Sequence, residues 1–207
     1  MNSKRDIDIY HEEIENLKGR PTLFLHTCCG PCLCYPISEL SAYFSLTIGF
    51  FNPNIYPEEE YEKRFAEVKK VVFFFNEKNN ADVKIVKNHE DFLFYQKNFQ
   101  GRKDDVEGGE YCRRCHYYRM NISYKYAYEH HFDYFTTVMT VSSKKPSSLL
   151  NDIGRELEKK YRSTKFLIAD FKKEDGQLKG IKIAKELGLY RQNYCGCIHS
   201  LKERNQR

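Results

Sequence analysis

Three separated groups of cysteines govern what this chain can fold into. Cys28, Cys29 and Cys32 stand directly behind a short apolar run, Thr22-Leu23-Phe24-Leu25-His26-Thr27. Cys112 and Cys115 form a C-x-x-C, Cys195-Gly196-Cys197 lies near the C-terminus, and Cys34 stands apart. The apolar run reads as a buried strand, Cys28 to Cys32 as the turn leaving it, and Pro31 suits a helix start. A strand, a ligand-bearing turn and a helix make the opening unit of an α/β sheet, whose carboxyl edge is where open sheets of this kind place their ligands.

The rest of the chain repeats that alternation. A polar helical leader, Ile7 to Lys18, ends at Arg20-Pro21, so residues 1–20 are expected as a leader and 21–207 as one α/β domain. The helix after Cys32 runs through Tyr43, and Ser45 to Phe51 is a second strand broken by Asn52-Pro53-Asn54. A helix over 57–79 follows, with Glu58, Glu59 and Glu60 at its positive N-terminal end. Strands are expected at Asp82 to Val86, Asp133 to Val138 and Lys165 to Ile168. Helices are expected from Cys112 to Glu129, from Ser147 to near Tyr161, and from Gly180 to Leu187, the last closed by Gly188. Gly101 and the acidic stretch Asp104 to Gly109 suggest a loop before Cys112. The pattern implies an open, mostly parallel sheet flanked by helices with right-handed crossovers.

A chain of 207 residues can bury a core large enough to hold its shape without cross-links. No segment has the roughly 18 uninterrupted apolar residues of a membrane helix, and the start has no apolar core of a signal peptide. The expectation is therefore a cytoplasmic protein with no membrane partner. Thiols stay reduced there, so the eight cysteines are expected to bind metal or do redox chemistry. The formal charge of +5 is a mild bias toward anionic partners, RNA among them.

Four thiolates must converge to hold a cubane iron–sulfur cluster. Cys28, Cys29, Cys112 and Cys115 supply that number if their loops meet at one sheet edge, with Cys112 and Cys115 at a helix start where N–H groups favour thiolates. Spacing leaves open a structural zinc bound by any four of the cysteines, although C-C-x-x-C is not a zinc-ribbon spacing. Cys195-Gly196-Cys197 reads differently. A disulfide across one spacer closes a small strained ring that is easily reduced, so the pair suits a two-electron couple; metal ligation by both thiols is the alternative. Cys34 on the following helix reads as a small buried residue. His26, His116, Arg113-Arg114, Lys172-Lys173 and Arg191 to Tyr194 each admit both a plain structural reading and a substrate-facing one, the last set suiting a stacked base.

Taken together, these residues resemble the QueH-type epoxyqueuosine reductases. The resemblance rests on His26-Thr27-Cys28-Cys29-Gly30-Pro31-Cys32, on Phe51-Asn52-Pro53-Asn54-Ile55 with Glu60-Tyr61 and Arg64, and on Gly109 to Cys115. It continues through Ser142-Ser143-Lys144-Lys145-Pro146 and Asp170 to Lys173 to the very specific Tyr190 to Cys197, in order from about 22 to 200. It implies deoxygenation of epoxyqueuosine to queuosine in tRNA, a [4Fe-4S] cluster with an adjacent iron, and an electron donor that the sequence does not identify. By position, Cys28, Cys29, Cys112 and Cys115 hold the cluster, Cys195 and Cys197 are the redox pair, and Cys32, an aspartate in some relatives, is a ligand of the second iron. The implied fold resembles the ATP-pyrophosphatase (HUP-like) group, with cysteines where that group carries its phosphate loop. Asp170, Tyr194 and His26 are the candidate proton donors. Two other functions compete: a zinc-stabilised RNA-binding module, and a cluster-dependent tRNA thiolation or ATP-pyrophosphatase enzyme.

Overall fold

A computed structural model describes residues 5–79, 81–89, 92–99 and 107–206. Its centre is a five-stranded sheet of β1 (Thr22–His26), β2 (Ser45–Phe51), β3 (Lys84–Asn88), β4 (Tyr134–Thr137) and β5 (Lys165–Phe166). The strand order is β3-β2-β1-β4-β5. Every pairing is parallel, with Thr22–His26 against Ser45–Gly49 on one side and Leu23–His26 against Tyr134–Thr137 on the other. The chain works outward from β1 to β3 and then returns to β1 to place β4, so β1 and β4 flank the switch point where such sheets open a crevice.

Parallel strands need crossovers, and helices supply them. They are α1 (Asp6–Glu15), α2 (Gly30–Leu40), α3 (Glu58–Asn79), α4 (Phe92–Asn98), α5 (Glu110–Glu129), α6 (Ser147–Glu158), α7 (Gly176–Glu186) and α8 (Ile198–Asn205). Helix α2 packs against both α3 and α7, and α5 packs against α6. Leu23, Phe24, Leu25, Ile48, Phe50 and Phe135 of the central strands are fully buried, as expected where both faces of a parallel sheet are covered. The leader helix α1 puts Tyr10 into this same core. Asp6 pairs with Arg155 at 2.7 Å, and Glu13 accepts from Tyr134 at 2.6 Å. No helix of the described residues is long and apolar enough to cross a membrane.

Several boundaries differ from the sequence reading for physical reasons. Strand β3 is Lys84–Asn88 rather than 82–86, because it is a half-exposed edge strand whose alternation carries little apolar signal. Strands β4 and β5 are shorter than expected, and after β4 the chain winds into a 3₁₀ turn at Val138–Val141. Helix α7 starts at Gly176, not Gly180, because its first turn lies against Tyr35 of α2, where only a residue without Cβ fits. Helix α5 starts at Glu110, two residues before Cys112. The loop expected over 101–109 falls largely outside the described residues. Helix α8 had no counterpart in the sequence reading.

Gly30 places the cysteine turn. A Cβ there would lie 2.8 Å from the Glu67 carbonyl oxygen, so α2 and α3 approach as closely as they do only with glycine at this position. Gly30→Ala should therefore force the two helices apart and cost roughly 1–3 kcal/mol. Chemical denaturation checks this, with an unchanged midpoint as the contrary result.

Candidate functional site

Strand β1 ends at His26, and the next residues turn at the edge of the sheet. Cys29 is the N-cap of α2, so the thiols of Cys28, Cys29 and Cys32 gather around a helix N-terminus, where unpaired N–H groups favour anionic sulfur. The three Sγ atoms lie within 4.8 Å of one another. Their titrations are shared: the Cys29 and Cys32 thiols hold Cys28 well below the ordinary thiol range, while Cys28 in turn pushes both of them up. One thiolate cradled by two neighbouring thiols is a donor set ready for a metal cation. Gln192 Nε2 donates to Cys29 Sγ at 3.0 Å.

A cavity of about 300 Å³ opens beside this nest. Cys28 and Cys32 line it together with Cys112 from α5 and Cys195 from the C-terminal loop, so all three cysteine groups reach one crevice at the carboxyl edge. Gly108 N–H donates to Cys112 Sγ at 3.3 Å. Cys115, one turn along α5, is buried, and Tyr95 Oη donates to its sulfur at 3.0 Å. Burial pushes the Cys115 thiol up to about 12. The structure thus draws Cys32 to within 4.8 Å of Cys28 and Cys29, a grouping that spacing alone did not give. Among the described residues no disulfide joins any of the eight cysteines. Cys34 is fully buried and its thiol donates to the Gly30 carbonyl at 3.4 Å, as expected of a small core residue.

The C-terminal loop is held by α3. Arg64 is 1% exposed, and its guanidinium reaches the carbonyls of Cys195 at 3.0 Å and Tyr194 at 3.2 Å. Its Nε binds Glu60 at 2.7 Å, and Glu60 also accepts from Tyr190 Oη at 3.1 Å. Tyr56 N–H donates to the Gly196 carbonyl at 2.8 Å. Gly196 itself has φ of 124°, and a Cβ there would meet Arg64 at 3.0 Å, so conformation and space both require glycine between the two thiols. Cys195 faces the cavity. Cys197 is buried beneath it as the N-cap of α8, and Ser200 N–H donates to its sulfur at 3.4 Å.

Positive charge surrounds the sulfur atoms. Arg119 on α5 is 1% exposed; its Nη2 donates to Asn52 at 2.6 Å, while its Nε has no hydrogen-bond partner. Burial works against the Arg119 charge, but Cys115, Cys28 and Cys195 outweigh it and raise its pKa. Lys145 behaves alike: burial is opposed by Cys195, Cys28 and Cys32, and the ammonium is held above its ordinary range. No sequence signal marks Arg119, since an arginine inside a polar helix reads as solvated surface.

The expected proton donors separate. His26 is fully buried, and its ring joins three strand ends: with Nε2–H donating to the Phe51 carbonyl at 3.2 Å, Nδ1 accepts from Thr137 Oγ1 at 2.9 Å. Burial lowers it to about 3, so it is neutral and structural rather than a proton donor. Asp170 lies away from the cavity, bound to Ser147 at 2.8 Å and Lys172 at 2.6 Å. Tyr194 lines the cavity, with its hydroxyl donating to the Tyr56 carbonyl at 2.6 Å. His116 also lines it, with Nδ1 buried and unpartnered.

A family model described as epoxyqueuosine reductase QueH matches residues 23–203, a span that contains every cysteine of the chain. The chain belongs to the QueH family of epoxyqueuosine reductases. The QueH of Streptococcus pyogenes serotype M1 is 36% identical over 183 residues, covering 88% of this chain and 71% of that protein. The QueH of Thermotoga maritima is 33% identical over 187 residues, covering 90% and 93%. Among solved structures, the U34-tRNA thiolase NcsA from Methanococcus maripaludis with its [4Fe-4S] cluster aligns with a TM-score of 0.43 at 13% identity, over 97% of this chain and 70% of that one. That likeness is too distant to bear on the site.

Arg64 is the residue on which the loop's position turns. Arg64→Lys keeps the charge beside Glu60 but loses the planar fork, and it should speed amide hydrogen exchange across 194–197 by roughly tenfold through local opening while the sheet amides stay protected. Exchange equal to wild type in that segment would contradict this.

Proposed function

We propose that this chain reduces epoxyqueuosine in tRNA to queuosine, expelling the epoxide oxygen as water. The observation that carries the reading is the meeting of the three cysteine groups at one cationic crevice in a chain of this family.

The donor set suits an iron–sulfur centre. A cluster with thiolate ligands is a negatively charged object, and the buried Arg119, with Nε unpartnered, and Lys145 provide its compensating charge. In the proposed assignment Cys28, Cys29, Cys112 and Cys115 hold a [4Fe-4S] cluster and Cys32 is a ligand of an additional iron. Such a centre supplies one-electron transfer, and the extra iron a Lewis acid for oxygen.

The chain's own residues account for the rest of the chemistry. Removing the oxygen consumes two electrons and two protons. Cys195 and Cys197, passing from two thiols to a disulfide, supply two of each: the epoxide carbon–oxygen bonds break, a carbon–carbon double bond and one S–S bond form, and the oxygen leaves as water. Cys195, facing the cavity, is the thiol nearer the substrate, and Cys197 is its buried partner at the head of α8. An external donor then returns the disulfide to the dithiol. Lys145 and Arg119 favour negative charge on the departing oxygen and on the thiolates, as fixed cations aimed at a site of developing charge do. Tyr194, with Arg64 5.0 Å and Arg204 5.6 Å from its ring centroid, presents an aromatic face to a base entering the crevice.

Mass spectrometry of nucleosides from epoxyqueuosine-containing tRNA, after incubation with the anaerobic protein and a reductant, tests the reading. Wild type should form queuosine over many turnovers, and Cys195→Ser and Cys197→Ser should each lower that rate by at least about 100-fold. No queuosine from wild type would overturn the function. Undiminished turnover by both variants would overturn the thiol pair's role and leave the function standing.

A further inference from the structure

Helix α5 has two working faces. Cys112, His116 and Arg119 point into the reaction crevice, while Glu110, Arg113, Arg114 and Tyr117 form a stripe at helical spacing that lines a second recess of about 310 Å³. Phe99, Tyr118 and Glu156 complete the recess. The Arg114 guanidinium lies over the Phe99 ring at 5.6 Å. Phe94 stacks on Tyr118, with ring centroids 5.7 Å apart and planes inclined by 18°, and is 53% exposed, beside Leu93 at 78%. Phe94 is thus an exposed ring seated on Tyr118, beside the exposed Arg113 and Arg114, and exposed rings with forked cations are the two devices by which proteins hold unpaired nucleotides.

We infer that this recess is a binding subsite for a nucleotide of the substrate RNA flanking the one that enters the crevice, with Phe94, seated on Tyr118 at its margin, stacking the base and Arg113 and Arg114 holding the phosphate. The inference rests on the proposed function, since it takes RNA to be the substrate. One helix, roughly 10 Å across with its side chains, separates the two recesses, a distance that a short stretch of single strand bridges.

The acidic groups of the recess do not oppose this. Glu110 is paired with Arg113 at only 3.7 Å, and both side chains are more than half exposed, an ion pair weak enough for a phosphate to displace. Glu156 lies beside the Tyr117 hydroxyl, whose pKa is raised first by burial and then by the Glu156 charge. Arg113 and Arg114 are exposed, so replacing them disturbs no core.

Fluorescence anisotropy of a dye-labelled single-stranded RNA oligomer, measured across a salt series, tests the subsite. Arg113→Gln with Arg114→Gln should weaken binding about tenfold and flatten the dependence of log affinity on log salt by about 0.7 for each phosphate no longer neutralised. Phe94→Ala should weaken binding roughly tenfold while leaving the salt slope unchanged, because a stacked base carries no charge. All variants should unfold at the wild-type temperature. Wild type that binds RNA, with variants that bind it equally well, would overturn the subsite and leave the proposed function intact. That same result, together with slower reduction by a protein electron donor, would assign the recess to the donor. Wild type with no affinity for the oligomer or for whole tRNA would overturn the proposed function and the subsite together.

Discussion

The site depends on a buried guanidinium whose charge is favoured by neighbouring thiols instead of a carboxylate. Among the described residues no ion pair to a carboxylate involves Arg119, yet it is almost wholly removed from water. A charge buried without compensation costs several kcal/mol; beside the hydrogen bond to Asn52, the thiols of Cys115, Cys28 and Cys195 are the largest favourable influences on it. Lys145, half-buried on the connection after β4, faces the same thiols. The crevice is therefore built for negative charge on its sulfur atoms. That requirement links the tight turn after β1, the inward stripe of α5 and the docked C-terminal loop.

Topology brings these parts together. Because β1 and β4 flank the switch point, the turn after β1 and the segment after β4 open onto one crevice, bringing Cys28 and Cys32 to Lys145. The C-terminal loop has no strand to fix it, and Arg64 anchors it through two backbone carbonyls while Glu60 neutralises the guanidinium. This ion pair acts less as a source of stability than as a positioning device, consistent with the modest net worth of buried pairs. Cys195 and Cys197 then occupy different environments, one facing the cavity and one beneath it. Such asymmetry suits a thiol pair in which one member meets the substrate.

Much of the architecture was legible in the sequence because apolar runs and breakers coincide. Ser45 to Phe51 is a strand from its first residue to its last, bounded by Asn52-Pro53. The cysteine turn was legible because strand, Gly-Pro and helix follow in immediate succession. Other features left no local signal. Helix α8 reads Ile198-His199-Ser200-Leu201-Lys202-Glu203-Arg204-Asn205, with too few apolar positions to mark a face, and it is started by the Cys197 cap. Arg119 and Arg64 look like surface cations on helices α5 and α3 and are buried only by long-range packing. His26 could be read as a proton donor until the sheet register showed it satisfied between Phe51 and Thr137. The close approach of Cys32 to Cys28 and Cys29 follows from the first turn of α2, which spacing does not determine.

Anaerobic purification followed by iron, zinc and acid-labile sulfide analysis, with the visible spectrum recorded, tests the central claim that these thiols enclose an iron–sulfur core. The account predicts a brown protein with broad absorbance at about 400 nm, about four sulfides and at least about four irons per chain. It also predicts that replacing both Cys28 and Cys112 with serine removes colour and sulfide together. A colourless protein holding about one zinc per chain and no sulfide would contradict it.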